Sequence, residues 1–314
     1  NHDTSDALIA EAVAAAKACG RAVIFAGMPD SYETEGRDRR HMHLPPAHNK
    51  LIEAVTAACG KVAVVLFGGS PAELPWIDSV PALLHAYLGG QALGGAVARI
   101  LFGDVNPSGK LAETHPLRLE DNPAYLYFPG DTDECFYGED IYVGYRWYDK
   151  RKMDVLFPFG YGLSYTEFAY TSIQADRKQV TVTVKNIGDR VGKEVVQLYV
   201  HALPHPTVEG YISPSFYGFA RPVHALIGFE KIELAPGEER EVTFALDDRA
   251  FSVWDTKVGD FRKLGGEYEL LAGPHSRNLP LSATITVEED DRFIPQITKD
   301  TTVEDIMLDE RIPR

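Results

Sequence analysis

The strongest constraint on the fold is a helix-then-strand unit that occurs twice within the first 70 residues. In the first unit, SDALIAEAVAAAKACGRAVIFAG, apolar residues recur at helical spacing, Gly20 ends the helix, and Ala22–Ala26 follow as a strand. The second unit, LPPAHNKLIEAVTAACGKVAVVLFGG, repeats this plan with a stop at Gly60 and a strand at Val62–Phe67. Two such units in succession are typical of an α/β domain.

Both predicted strands are apolar on successive residues, as a parallel sheet covered by helices on both faces requires. The next segment, VPALLHAYLGGQALGGAVARILFG, predicts a third buried strand near Pro81–Tyr87 and a helix near Leu93–Leu101. Residues 1–165 are therefore predicted to form an α/β sandwich, a mostly parallel sheet with helices on both faces.

The pattern changes near Thr166. QVTVTVKNIGDRVGKEVVQLYVHAL alternates apolar and polar residues on both sides of a glycine-containing turn, as a β-hairpin does. LIGFEKIELAPGEEREVTFALD and GEYELLAGPHSRNLPLSATITV continue the alternation, so residues 166–288 are predicted to form an all-β sandwich. Residues 289–314 are polar and contain prolines, and they are interpreted as a tail or as the start of a further region.

Composition excludes several classes of partner. A net charge of −15 argues against nucleic acid and against anionic membrane surfaces, because both bind clustered Lys and Arg. No apolar run approaches the roughly 20 residues that cross a bilayer. The three cysteines form no CxxC pair, and their low number favours a cytoplasmic location. Because the sequence begins without Met and without the pattern of a signal peptide, we interpret it as a piece of a longer protein.

Charged residues follow the first strand, at the edge where open α/β sheets bind ligands. Within SYETEGRDRRHMHLPP, Glu33 and Glu35 are the candidate catalytic carboxyls. Gly36 is predicted to permit a tight turn that projects the carboxyl outward. Asp38 and Arg39 are predicted to brace the loop by charge-assisted hydrogen bonds. Residue types alone favour a solvated loop over a catalytic one, since most charge runs are solvated surface.

Other residues give weaker signals. Trp76, in the loop after the next strand, is assigned to the periphery of a substrate site, although such aromatics more often pack in a core. GGQALGGA lacks both GxGxxG and the P-loop lysine, which argues against phosphate binding. His41, His43 and His48 have a spacing that fits no standard metal site. We therefore predict no metal and no cofactor.

Several segments in this order resemble the C-terminal half of family 3 glycoside hydrolases of the β-glucosidase type. They are ETEGRDRRHMHLP, LPWIDSVPALLHAYLGGQALGGAVARILFGDVNPSGKLAETHP, FYGEDIYVGYRWYD, LFPFGYGLSYTEFAY and VKNIGDRVGKEVVQLYV. The resemblance runs from about Ala7 to Val287. It implies an α/β sandwich and a fibronectin type III-like domain, which match the two predicted halves. It also implies a (β/α)8 barrel, which this sequence lacks.

The resemblance also implies roles for residues. The family's acid/base looks like the Glu of an EGxDR motif, which is Glu35 in this sequence, with Glu33 as the alternative. Gly36, Asp38 and Arg39 would then support the loop. The nucleophile is an Asp in an SDW-type motif, and SDW occurs nowhere in this sequence. The chain alone is therefore expected to be inactive, because half of the catalytic pair would come from the barrel.

The expected function is that of a retaining β-glycosidase, with a β-glucosidase as the first choice. Its substrates would be β-linked gluco-oligosaccharides or aryl and alkyl glucosides, cleaved at the terminal non-reducing β-D-glucosyl residue; xylose, galactose and arabinose stay open. The alternative is a non-catalytic carbohydrate-binding or scaffold module. The intact ETEGRDR favours the enzyme, because a scaffold needs no protruding acid. The barrel is the expected partner, and formation of a homo-oligomer is left open.

Overall fold

The computed structural model describes residues 5–203, 220–256, 259–288 and 299. The chain divides into two compact units, which interleave along the sequence. The α/β unit comprises residues 1–105, 114–138 and 154–157, and the β unit comprises residues 106–113, 139–153 and 158–314. The predicted tail, residues 289–314, lies outside the described residues except for residue 299.

The α/β unit contains a three-stranded parallel sheet in the order β1-β2-β3. Its elements in chain order are α1 (Asp6–Cys19), β1 (Ala22–Gly27), α2 (Pro46–Ala58), β2 (Val62–Phe67), a 3-10 turn (Ile77–Ser79), β3 (Ala82–Tyr87), α3 (Leu93–Leu101) and a second 3-10 turn (Leu119–Asp121). Across the described residues, none of the helices combines the length and the apolarity needed to span a bilayer.

Local chemistry explains where the helices begin and end. The Ser5 hydroxyl accepts a hydrogen bond from the first turn of α1, and Gly20 ends that helix with a left-handed φ of 68°. Pro46 occupies the first turn of α2, where its missing N–H costs nothing. The predicted stop of α2 at Gly60 is one residue late, because Cys59 is already extended.

The core of the α/β unit lies between α2 and the sheet, where Ile52 of α2 and Val64 of β2 are 0% exposed. The prediction that the third strand is buried is wrong. Ala82 is exposed and the rest of β3 is only partly buried, because β3 lies at an edge of the sheet. At the other edge, Val23 and Phe25 of β1 are 47% and 60% exposed, so β1 presents apolar side chains to solvent.

Within its described residues, the β unit has two antiparallel sheets in the orders β4-β5-β8 and β12-β11-β6-β7, and an antiparallel pair β9-β10. Its elements are α4 (Tyr145–Lys150), β4 (Phe168–Ala175), β5 (Gln179–Asn186), β6 (Gly192–Ala202), β7 (Ala225–Leu234), β8 (Glu239–Ala245), a 3-10 turn (Asp248–Phe251), β9 (Ser252–Asp255), β10 (Asp260–Lys263), β11 (Gly266–Gly273) and β12 (Leu281–Val287). The predicted fold class, an α/β fold followed by an all-β sandwich, is confirmed.

The period-two alternation of the sequence corresponds to burial in the β unit. Val180, Val182 and Val184 of β5 are 0% exposed, whereas the residues between them are only partly buried. Alternating side chains of a strand point to opposite faces, so one face of β5 forms the core of the unit.

Two segments that precede the strands in sequence belong to the β unit through polar contacts. Lys110 Nζ lies 3.1 Å from Glu194 Oε1, and both side chains are largely buried. The Tyr145 hydroxyl accepts a hydrogen bond of 2.9 Å from the backbone N–H of Leu226 in β7. These contacts join residues far apart in sequence, and for that reason periodicity alone does not reveal them.

Candidate functional site

The loops that follow β1 and β2 leave the same edge of the sheet. Gly27 pairs with Phe67 at the ends of these strands, and Met28 donates a 3.0 Å hydrogen bond to the Phe67 carbonyl. Because the strands are parallel neighbours, their carboxyl ends lie together, which is where open α/β sheets bind ligands. The predicted site loop therefore starts beside the loop that begins at Gly68.

Glu35 lies at the tip of a tight turn. The N–H groups of Tyr32 and Glu33 both donate to the carbonyl of Pro29, which reverses the chain just after β1. Thr34 and Arg37 then pair as an isolated antiparallel bridge, so Glu35 and Gly36 occupy the tip between them. Both tip residues are exposed. The turn thus presents the Glu35 carboxyl to solvent, where a ligand can reach it.

Glu33 is held in place. Its Oε2 accepts a 2.7 Å hydrogen bond from the backbone N–H of Gly69, and its Oε1 accepts a 2.7 Å bond from the Ser70 hydroxyl. Its Oε1 also lies 3.9 Å from Nη1 of Arg39. The Glu33 side chain is 22% exposed. Both oxygens of this carboxylate are therefore engaged by the loop after β2.

Arg39 reaches the same loop from the other stem of the turn. Its Nη1 donates to the Ser70 hydroxyl at 2.6 Å and to the Pro71 carbonyl at 3.0 Å. Burial lowers the pKa of this guanidinium, and the nearby Glu33 carboxylate opposes that change. Arg39 thus makes contacts of the kind expected of a loop brace. Asp38 is exposed, and its predicted bracing contacts are not found among the described residues.

The base of the loop has a second connection to the loop after β2. The N–H of Glu73 donates to the carbonyl of Met42 at 2.9 Å, and Glu73 Oε2 lies 3.0 Å from His43 Nδ1. His41 stacks on His43 with ring centroids 5.1 Å apart, and Tyr32 meets His41 edge-on at 5.6 Å. Within the described residues, no group of three or more His, Cys, Asp or Glu side chains has an arrangement that could hold a metal ion.

The assignment of Trp76 to the periphery of a substrate site is wrong. Trp76 is 3% exposed and belongs to the core of the α/β unit. Its indole N–H donates to Asn49 Oδ1 at 2.9 Å, so the polar edge of the ring is also satisfied internally. A ring in this position has no open face on which a substrate could stack.

A cluster of rings at the end of β3 was missed by sequence reasoning. The β2–β3 register shifts between Leu66, which pairs with His85, and Phe67, which pairs with Tyr87. Tyr87 takes a left-handed φ of 49°, and its ring lies 3.9 Å from that of His85. His115 meets the His85 ring edge-on at 5.3 Å. The only signal in the sequence is His85, a histidine inside an apolar strand pattern. That pattern does not predict a contact with His115, which lies thirty residues later.

His115 is a buried imidazole whose proton affinity is low. It is 3% exposed, and its Nε2 has no hydrogen-bond partner among the described residues. Burial lowers its pKa to about 4, and the neighbouring His85 acts in the same direction. Burial also lowers the pKa of His85. Burial therefore favours the neutral form of both imidazoles.

The two glycines that flank the site have different constraints, and the turn at Gly36 does not depend on glycine. Gly36 does not adopt a left-handed φ, and a Cβ added there would meet no atom within 4 Å. At Gly27, in contrast, an added Cβ would lie 2.5 Å from the carbonyl oxygen of Phe67 and 2.9 Å from its Cβ. The close approach of β1 to β2 therefore requires glycine at position 27 only.

We expect Gly27→Ala to lower the free energy of unfolding by about 1–3 kcal/mol, because the backbone of β2 has to move. Gly36→Ala, the matched control, should change it by less than about 1 kcal/mol, since the new methyl group meets open space. Urea denaturation of the purified chain measures both values. Equal effects at the two positions would contradict the described packing.

Comparison with known proteins gives two matching families. The glycosyl hydrolase family 3 C-terminal domain matches residues 3–165, and the fibronectin type III-like domain matches residues 194–276. Thermostable β-glucosidase B of Acetivibrio thermocellus is 47% identical over 317 residues, which cover 98% of this chain and 40% of the relative. Probable β-glucosidase K of Emericella nidulans is 42% identical over 282 residues, which cover 90% of this chain and 32% of the relative.

Solved structures show the same relationship. The Bifidobacterium adolescentis GH3 β-glucosidase has a TM-score of 0.88 at 36% identity, covering 99% of this chain and 45% of that one. The Kluyveromyces marxianus β-glucosidase in complex with glucose has a TM-score of 0.82 at 39% identity, covering 90% of this chain and 34% of that one. This chain thus spans less than half the length of the proteins that it matches.

Proposed function

We propose, from the premise that this chain belongs to glycosyl hydrolase family 3, that it is the acid/base-bearing portion of a retaining β-glucosidase. The observation that carries the proposal is the exposed carboxyl of Glu35, at the tip of a turn whose stems are bonded to a neighbouring loop. Such a carboxyl is accessible to a substrate and held by rigid surroundings, as a proton donor must be.

Glu35 would act twice in each turnover. Retaining glycosidases use two carboxyls about 5–5.5 Å apart across the bond to be cleaved. One attacks the anomeric carbon while Glu35 protonates the departing oxygen, which leaves as an alcohol. Glu35, now a carboxylate, then removes a proton from the water that hydrolyses the glucosyl-enzyme and releases the nucleophile. Glu33 suits this role less well, because both of its oxygens already accept hydrogen bonds.

The nucleophile would come from a part of the enzyme outside this sequence. By the family resemblance, that part is a (β/α)8 barrel with an Asp in an SDW-type motif. Two observations support a further part: this chain spans 40% of the A. thermocellus relative, and β1 presents Val23 and Phe25 to solvent. Apolar side chains clustered on an edge strand are a surface that a further part of a protein can cover.

The proposed substrates carry a terminal non-reducing β-D-glucosyl residue. The support is the naming of the relatives as β-glucosidases and the glucose bound in the K. marxianus enzyme. Most contacts to the sugar would lie in the proposed barrel, so the loop that carries Glu35 does not itself distinguish glucose from xylose, galactose or arabinose.

The purified chain is expected to show no turnover of 4-nitrophenyl β-D-glucoside, whereas the complete protein that contains it hydrolyses this substrate. The physical reason is that the proposed nucleophile is absent, so no glucosyl-enzyme forms. The Glu35→Gln chain serves as the background control. Turnover by the isolated chain that survives this substitution would contradict the proposal, and sugar binding without hydrolysis by the complete protein would favour the non-catalytic module.

A further inference from the structure

We infer that Glu33 is a positioning residue, which together with Ser70 and Arg39 locks the turn that carries Glu35 onto the loop after β2. The inference rests on the proposed function, in which Glu35 is the acid/base, and assigns a separate role to the second glutamate of the motif. One hydroxyl, Ser70 Oγ, contacts both stems of the turn: it bonds to Glu33 on one side and to Arg39 on the other.

Glu33, Ser70 and Arg39 form a clamp that holds the two stems of the turn. Glu33 immediately precedes Thr34, where the turn begins, and Arg39 lies two residues beyond Arg37, where it ends. The Ser70 hydroxyl donates to Glu33 at 2.7 Å and accepts from Arg39 at 2.6 Å. The two stems are therefore fixed to a common point, and the tip between them cannot shift without breaking one of these bonds.

Further contacts make the clamp rigid. Gly69 donates its N–H to Glu33, and Pro71 accepts from Arg39, so the backbone of the β2 loop takes part at both sides of Ser70. The side chains of Glu33 and Arg39 are 22% and 16% exposed. Hydrogen bonds to ionised groups are about twice as strong as neutral ones, and partial burial reduces their screening by salt.

The Glu33 carboxylate lies against the two glycines that precede Ser70. A Cβ added at Gly69 would lie 3.4 Å from Glu33 Oε1, and one added at Gly68 would lie 3.6 Å from Oε2. The carboxylate thus rests directly against the backbone of the β2 loop. A group enclosed in this way orients its neighbours, whereas an acid that serves a substrate needs an open oxygen.

The test uses Ser70→Ala and Glu33→Gln in the complete enzyme, with two substrates that differ in whether the leaving group needs a proton. An alkyl β-glucoside has a poor leaving group that must be protonated, whereas 2,4-dinitrophenolate departs without a proton. We expect each substitution to lower kcat/KM for the alkyl glucoside by about ten- to hundredfold, the cost of a small misplacement of the acid. The dinitrophenyl glucoside should change less than about threefold, because it does not depend on that proton.

Two controls separate positioning from other effects. Asp30→Asn removes a negative charge from an exposed position of the same loop and should leave both substrates at wild-type rates. The basic limb of the pH–rate profile should persist in Glu33→Gln, because Glu35 still donates the proton. It should disappear in Glu35→Gln, in which the donor itself is gone.

Three results would overturn the inference, and they differ from failure of the proposed function. Wild-type rates in Ser70→Ala and Glu33→Gln would show that the clamp has no effect. Equal losses with both substrates, together with a lower melting temperature, would show a structural role only. Loss of the basic limb in Glu33→Gln, with that limb retained in Glu35→Gln, would instead make Glu33 the acid/base and refute the proposed role of Glu35.

Discussion

Replacing Glu35 with alanine in the complete enzyme is expected to lower kcat for an aryl β-glucoside by about 10²–10⁴-fold, the usual contribution of a general acid/base. Both half-reactions suffer, because Glu35 would protonate the leaving oxygen and later activate the water. With an activated aryl leaving group, the formation of the glucosyl-enzyme is slowed less than its hydrolysis. The glucosyl-enzyme therefore accumulates, and its hydrolysis limits the rate.

Added azide provides the decisive measurement for this variant. Azide is a small anion that can attack the glucosyl-enzyme without help from a base, and the alanine leaves room for it. We expect sodium azide to restore part of kcat in Glu35→Ala and to yield β-glucosyl azide, identified by NMR. The wild type and the Asp30→Asn control should show neither effect.

The same measurement can contradict the assignment. Near-normal activity of Glu35→Ala, without formation of the azide product, would mean that the acid/base carboxyl lies elsewhere. Glu33→Ala would be examined next, because Glu33 is the other carboxyl of the motif. The turn at Thr34–Arg37 would then be an ordinary solvated loop.

The second large effect concerns stability and pH. We expect the free energy of unfolding of the chain to fall by about 3 kcal/mol through His115 alone as the pH is lowered from 7 to 4. The pKa of His115 is about 4 in the folded chain, against an ordinary value of 6.5. Between these values the unfolded chain binds a proton that the folded chain excludes, so acid favours unfolding. The stability contributed by the neutral ring is thus complete above pH 6.5 and is lost as the pH falls towards 4.

Urea denaturation of the purified chain at several pH values between 7 and 4 measures this effect, with His115→Phe as the comparison. Phenylalanine keeps a ring against His85 and Phe157, the neighbours of His115, but cannot bind a proton. Carboxylates that titrate in the same range are common to both proteins, so the difference between them reports His115. The pKa of His85 is also lowered by burial and adds a slope of the same sign in both proteins. Identical pH dependence of the two proteins would contradict the assignment.

The sequence by itself determined the elements and their class, because that information is local. The strand Val62–Phe67 and the helix Leu93–Leu101 have the predicted bounds, since caps, turns and apolar periodicity act over a few residues. The alternation along β5 likewise predicted which side chains are buried. The position of the acidic motif after the first strand was enough to locate the candidate site at one edge of the sheet.

Only the tertiary structure decided what each residue of that candidate site contacts. Glu33 and Glu35 are two residues apart and chemically identical, yet one is bonded to Ser70, 37 positions away, and the other faces solvent. The burial of Trp76 and the meeting of His85 with His115 are decided in the same way. Contacts between distant residues depend on how strands and loops pack in space. Local sequence periodicity does not predict that packing.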